Sequence, residues 1–212
     1  MTRRPPLDRS PCFRARRTGP GPARPGRRWL AALALGLGLA LGAGPAAAEI
    51  RIANLSVFLN DLDVTVRVVL LGAVPASLHE SLHSGVPTHV RYSVELWQYS
   101  RLWVERRLQA RTIERQLTYN VLTKEYKVAS LSGEARDPYL TKDLREAQRV
   151  LSELRVARLA PASALDVNEL YYVRVRADVS LNGVNTWVSR VAGDAAETPW
   201  VQSNLLTVRR TQ

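Results

Sequence analysis

Leu170-Tyr-Tyr-Val-Arg-Val-Arg-Ala-Asp-Val-Ser-Leu181, running into Asn182-Gly183, decides how the rest of the chain is read. Tyr171, Val173, Val175, Ala177 and Val179 share one phase of a period-two alternation, and Tyr172, Arg174, Arg176 and Asp178 share the other. Successive side chains of a strand point to opposite faces of its sheet, so this stretch is a strand with an apolar and a polar face. Asn-Gly suits the positive φ angles of a two-residue turn, which predicts a hairpin returning over Val184 to Val191.

The same alternation recurs toward the N-terminus. Ile50 to Leu59 forms a strand with a bulge near Asn54, and Asn60-Asp61 turns it into Leu62, Val64, Val66, Val68 and Leu70, with Asp63, Thr65, Arg67 and Val69 opposed. A third strand puts Val90, Tyr92, Val94 and Leu96 inward and His89, Arg91, Ser93, Glu95 and Trp97 outward. Tyr99-Ser100-Arg101 turns it into a long polar strand through Trp103, Glu105 and Arg107 to Ile113, Leu117 and Tyr119. Glu125 to Leu131 gives another strand, and Trp200 to Arg210 a closing one. Two segments read as helices: a short one from Ala76 to Ser84, stopped by Gly85 and Pro87, and a longer one from Thr141 to Ala157. The longer one carries Leu144, Ala147, Leu151 and Leu154 on one stripe. The expectation is mostly β: an antiparallel β-sandwich of about eight or nine strands, with one longer and one short helix, in a single domain over residues 49–212.

The formal charge of +11 points first to nucleic acid, but its distribution removes that class. The first 48 residues hold nine arginines and one acid, a net +8, which leaves +3 with well-mixed signs over the other 164 residues. Such a balance offers little counterion release on a phosphate backbone. The basic excess belongs to a leader. Arginines up to Arg28 precede an apolar run of 15 residues, Trp29 to Ala43, short of the roughly 20 that span a bilayer. Gly44 and Pro45 then break the helix, and Ala46 and Ala48 are small residues at −3 and −1 of a cut before Glu49. Residues 1–48 are therefore read as a signal peptide cleaved after Ala48, with export to the periplasm or envelope; a retained anchor is the alternative, and membrane contact is expected only through that segment if it is not cleaved. The only cysteine, Cys12, lies in the leader, so disulfides do not hold the exported domain and its core must.

Several stretches together resemble a bacterial family of exported proteins known as domain of unknown function 4390, also labelled proline-rich signal peptide proteins. They are the leader, Leu82-His-Ser-Gly85-Val-Pro87 entering a strand, and Leu117-Thr-Tyr119-Asn-Val-Leu-Thr123-Lys-Glu-Tyr126. Tyr139 to Leu154, Leu170-Tyr-Tyr172-Val-Arg-Val and Trp200-Val-Gln-Ser203 complete them. The resemblance implies a β-rich exported domain with no established activity, cofactor or catalytic residue. It also implies a link to membrane sensor kinases and hence a protein partner in the envelope.

All three histidines fall in eleven residues, His79-Glu80-Ser-Leu-His83-Ser-Gly-Val-Pro-Thr-His89. In His79-Glu80-x-x-His83, two histidines one helical turn apart can share a zinc ion while the glutamate activates its water. This sets up a zinc-dependent hydrolase, a peptidase with His79, His83 and His89 as metal ligands and Glu80 as catalytic base, as the alternative function. Against it, Val86 stands where the longer metzincin pattern needs glycine, Met1 is the only methionine, and Pro75 and Gly85 confine the helix to about ten residues. His89 also lies on the polar phase of its strand, so its ring is expected beyond joint reach of the other two. The preferred reading is a non-enzymatic domain without metal or cofactor. It would bind a protein through sheet edges or a patch of Trp97, Trp103, Arg91 and Arg101.

Overall fold

A computed structural model describes residues 50–59, 62–102, 104–183 and 187–208, excluding the side chain of Trp187. The leader, the Asn60-Asp61 turn and Trp103 lie outside the described residues.

Two antiparallel sheets form the fold. β1 (Arg51–Leu59), β2 (Asp63–Leu71) and β7 (Glu153–Pro161) make a three-stranded sheet in the order β1-β2-β7. The larger sheet runs β10-β8-β3-β4-β5-β6 and has eight strands. Its long members are β3 (Thr88–Tyr99), β4 (Arg106–Asn120), β5 (Glu125–Ser132) and β8 (Leu170–Leu181). The short ones are β6 (Tyr139–Thr141), β9 (Ala195–Glu197), β10 (Val201–Gln202) and β11 (Leu206–Thr207), and β9 and β11 also pair with β8.

Alternation places the core as the sequence requires. Val64, Val66, Val68 and Leu70 of β2 are buried in one cluster with Val90, Tyr92, Val94 and Leu96 of β3 and Val173, Val175, Ala177 and Val179 of β8. Burying each such aliphatic side chain contributes about 1.5–3 kcal/mol. The bulge falls between Ile52 and Asn54, where the β1–β2 register shifts. Leu78 and Leu82 anchor the short helical segment, a 3₁₀ turn (Ala76–Leu78) leading into α1 (His79–His83). None of the described helices is long and apolar enough to cross a membrane.

Three expectations need correction. The longer helix, α2, spans only Leu144–Ser152, and the chain passes from it into β7 without a loop. Arg115 of β4 is 1 % exposed and donates to the carbonyls of Val150 (2.9 Å) and Glu153 (2.7 Å), while Tyr92 Oη donates to that of Leu151 (2.9 Å). The terminal carbonyls of α2 are thus taken by the sheet beneath, and Leu154 and Val156 become the buried phase of a strand. Secondly, Asn182 and Gly183 do adopt positive φ (51° and 72°), but the described part of the expected returning strand is not a strand. Trp187–Val191 is helical (α3), and β9 makes the return instead, pairing Glu197 with Asp178. Thirdly, the described part of the closing segment holds two strands of two residues each, β10 and β11, and eleven strands are found among the described residues against the eight or nine expected. α1 and α3 are both short, beside the one longer helix.

Candidate functional site

Registers in the large sheet bring the outward phases of three strands together. Glu95 faces Arg174 and Trp97 faces Tyr172 across β3–β8, and Trp97 faces Arg107 across β3–β4. Glu95 keeps the outward phase expected of it, yet its neighbours on that face bury it at the centre of this group. Its carboxylate accepts from Arg174 Nε (2.7 Å), Trp97 Nε1 (2.9 Å) and Arg107 (3.1 Å). Burial pushes its carboxyl up, yet the hydrogen bonds from Arg174, Trp97 and Arg107 outweigh this and hold it below the usual range. Glu95 is a fixed anion, not a proton carrier.

Around it the aromatic rings alternate with guanidinium groups. Trp97 stacks on Tyr172 with centroids 6.5 Å apart and planes 10° off parallel. The Arg174 guanidinium lies 4.1 Å from the Trp97 ring and 4.7 Å from that of Trp200, and Arg176 lies 5.0 Å from Trp200. Cation–π attraction of this kind holds long side chains in one arrangement. Tyr172 Oη donates to Glu105, and its pKa is pushed up to about 12 by burial and by that carboxylate. Arg176 and Arg190 both pair with Glu197, at 2.6 and 3.0 Å.

Of the expected patch, Trp97 is central, Arg91 is not, and Trp103 lies outside the described residues. Arg91 sits six residues up β3 and pairs with Glu114 (3.4 Å). Arg101 is exposed in the loop after β3, with no described contact to Trp97. Tyr172, Arg174 and Trp200 are the members that strand-by-strand reading missed. The signal was present in the polar phase of β8, but only the register assigns each of its residues a neighbour.

The histidines go to separate places. His79 Nε2 donates to the Val74 carbonyl (3.2 Å). His83 Nδ1 donates to the carbonyl of His79 (2.8 Å), so its Nε2 accepts from Tyr126 Oη (2.8 Å). His89 Nδ1 faces Glu114 (3.2 Å) and its Nε2 faces the Gln116 amide (3.1 Å), both on β4. Glu80 is exposed, and its carbonyl accepts from Ser84. The Nε2 lone pair of His83, which a metal would need, is occupied by a hydroxyl. Among the described residues no three His, Cys, Asp or Glu side chains converge as metal ligands.

No curated protein and no solved structure matches the chain. A family model described as Domain of unknown function (DUF4390) matches residues 47–201, from ahead of β1 to the first residue of β10. The chain belongs to that family.

Proposed function

We propose that this chain is exported to the cell envelope, loses its leader after Ala48, and there acts as a non-enzymatic module that binds a protein partner. One observation carries the binding part. In the loop joining β3 to β4, Leu102 is 85 % exposed and Val104 is 93 % exposed. Glu105, at the end of that loop, accepts from Tyr172 and so ties it to the aromatic face. Trp, Tyr and Arg are the residue types that dominate interface hot spots, and Leu102 and Val104 add exposed apolar surface beside them. The stacked Trp97, Arg174 and Trp200 are ordered before any partner arrives, which lowers the entropic cost of binding. A membrane sensor kinase is the partner class that the family resemblance suggests. The hydrolase reading gains no support from the separated histidines.

A photo-cross-linker at position 102, activated in intact envelopes, tests the reading. A discrete protein adduct is expected, and Val104→Asp should cut it about ten-fold while leaving the thermal midpoint unchanged. Equal cross-linking in wild type and Val104→Asp would sink the proposal.

A further inference from the structure

Lysine occurs only three times in the chain, at 124, 127 and 142, against 27 arginines. The fold brings all three to one corner, at the end of β4 opposite the loop that carries Leu102. Lys124 is in the turn between β4 and β5, Lys127 faces Leu140 across β5–β6, and Lys142 follows Thr141, which faces Tyr126. Every ion pair among the described residues uses arginine or histidine, and none of the three lysines joins one. The same corner displays aliphatic side chains: Leu122 at the turn tip is 93 % exposed, Val121 55 % and Leu140 61 %. A cleft of about 410 Å³ separates the tip from Leu140, lined in part by Asn120, Thr123 and Lys127.

Three N–H groups of the tip are paired within the turn. Asn120 Oδ1 accepts from the N–H groups of Leu122 (2.9 Å) and Thr123 (3.2 Å), and the Asn120 carbonyl accepts from Lys124 N–H (2.8 Å). Lys124 takes a positive φ of 57° to close this turn. Backbone groups left unpaired resist entry into a low-dielectric medium, and this turn has three of its donors paired internally, which suits it to the headgroup boundary rather than the hydrocarbon core.

We infer that this corner, the β4–β5 turn with Lys127, Leu140 and Lys142 beside it, docks on the surface of an anionic lipid bilayer. Val121 and Leu122 enter the boundary between headgroups and acyl chains. The lysine stems extend along the apolar zone and leave their ammonium groups at phosphate level. Protein interfaces favour arginine and aromatic anchors and are depleted in lysine. The opposite end of the sheet has the former and this corner has the latter; of its aromatics, Tyr119 lines the cleft half-buried and Tyr126 is buried against it. Three carboxylates stand close: Glu146 accepts from Thr141 Oγ1 (2.8 Å) and from Tyr139 Oη, and Asp143 and Glu125 are the others. Asp143 is turned to the N–H of Arg145 (2.9 Å), and Glu125 sits at the base of the turn, paired with Asn120.

The test uses protein purified from envelopes, carrying Leu122→Cys in a Cys12→Ser background and labelled at 122 with a polarity-sensitive fluorophore. A matched label at Phe58, exposed on β1, serves as control. With vesicles of phosphatidylglycerol and phosphatidylcholine in equal parts, the 122 label should blue-shift and brighten, and with pure phosphatidylcholine it should not. The label at 58 should report water in both. Each of Lys124→Gln, Lys127→Gln and Lys142→Gln should weaken the interaction about five-fold, and added salt should weaken it further. A 122 label that stays in water on anionic vesicles overturns the inference. So does one that is shielded by native envelope membranes but not by vesicles of the lipids extracted from them, since that outcome makes the occupant a protein.

Discussion

Glu95 becomes a structural anion once Arg174, Arg107 and Trp97 close around it. Its carboxyl is held below the ordinary range, so its contribution to stability is present above the unfolded-state value and is lost as pH falls through the folded-state one. Denaturant unfolding measured between about pH 5 and pH 3 should therefore show wild type losing more stability than Glu95→Gln on acidification. Parallel pH profiles would remove Glu95 from this role. The histidines make the opposite case, since a motif legible in one line of sequence is dispersed by hydrogen bonds from elsewhere. His83 is claimed by Tyr126, 43 residues on, and His89 by Glu114 and Gln116. Untagged protein should then carry zinc far below one ion per chain by elemental analysis, and His83→Ala should leave that content unchanged. Near-stoichiometric zinc that vanishes in His83→Ala would restore the hydrolase. Trp97 was legible as a surface anchor from its strand phase, whereas Arg174 and Trp200 needed the register.

Elements with clean alternation were legible, β2, β3 and β8 above all, because burial of one face enforces the period. The end of α2 was not. Leu151 and Leu154 suit a helical stripe, and Leu154 and Val156 equally suit a strand. Arg115 and Tyr92, distant in sequence, settle the competition by taking the carbonyls of α2. At the other end Asp143 caps the helix by accepting from Arg145 N–H, a local signal readable in advance. Another long-range constraint sits after β5, at Gly133 (φ +79°), where an added Cβ would lie 2.1 Å from the Thr112 carbonyl oxygen. Gly193 has a similar φ of +82° with nothing within 4 Å. Gly193→Ala should cost about 1–2 kcal/mol, the usual penalty of the left-handed region. Gly133→Ala should cost at least about 2 kcal/mol more, because the overlap is with backbone. Urea unfolding of the two variants decides it; equal losses would contradict the close approach to Thr112.

For the whole molecule, the export reading makes a sharp expectation. Protein recovered from the envelope should begin at Glu49 on N-terminal sequencing, and a chain still carrying Trp29 would mean a retained anchor. At this scale β4 has the further consequence. Its fifteen residues run unbroken from the loop after Val104 to the turn at Val121, a span of about 50 Å at 3.3 Å per residue. Its hydrogen bonds to β3 and β5 lie across that axis. Tension applied between a partner held at one end and a bilayer held at the other pulls along the strand. The two attachment points flank the same strand, so the covalent backbone of β4 carries the load. The ladders to β3 and β5 need not break for force to pass from one surface to the other.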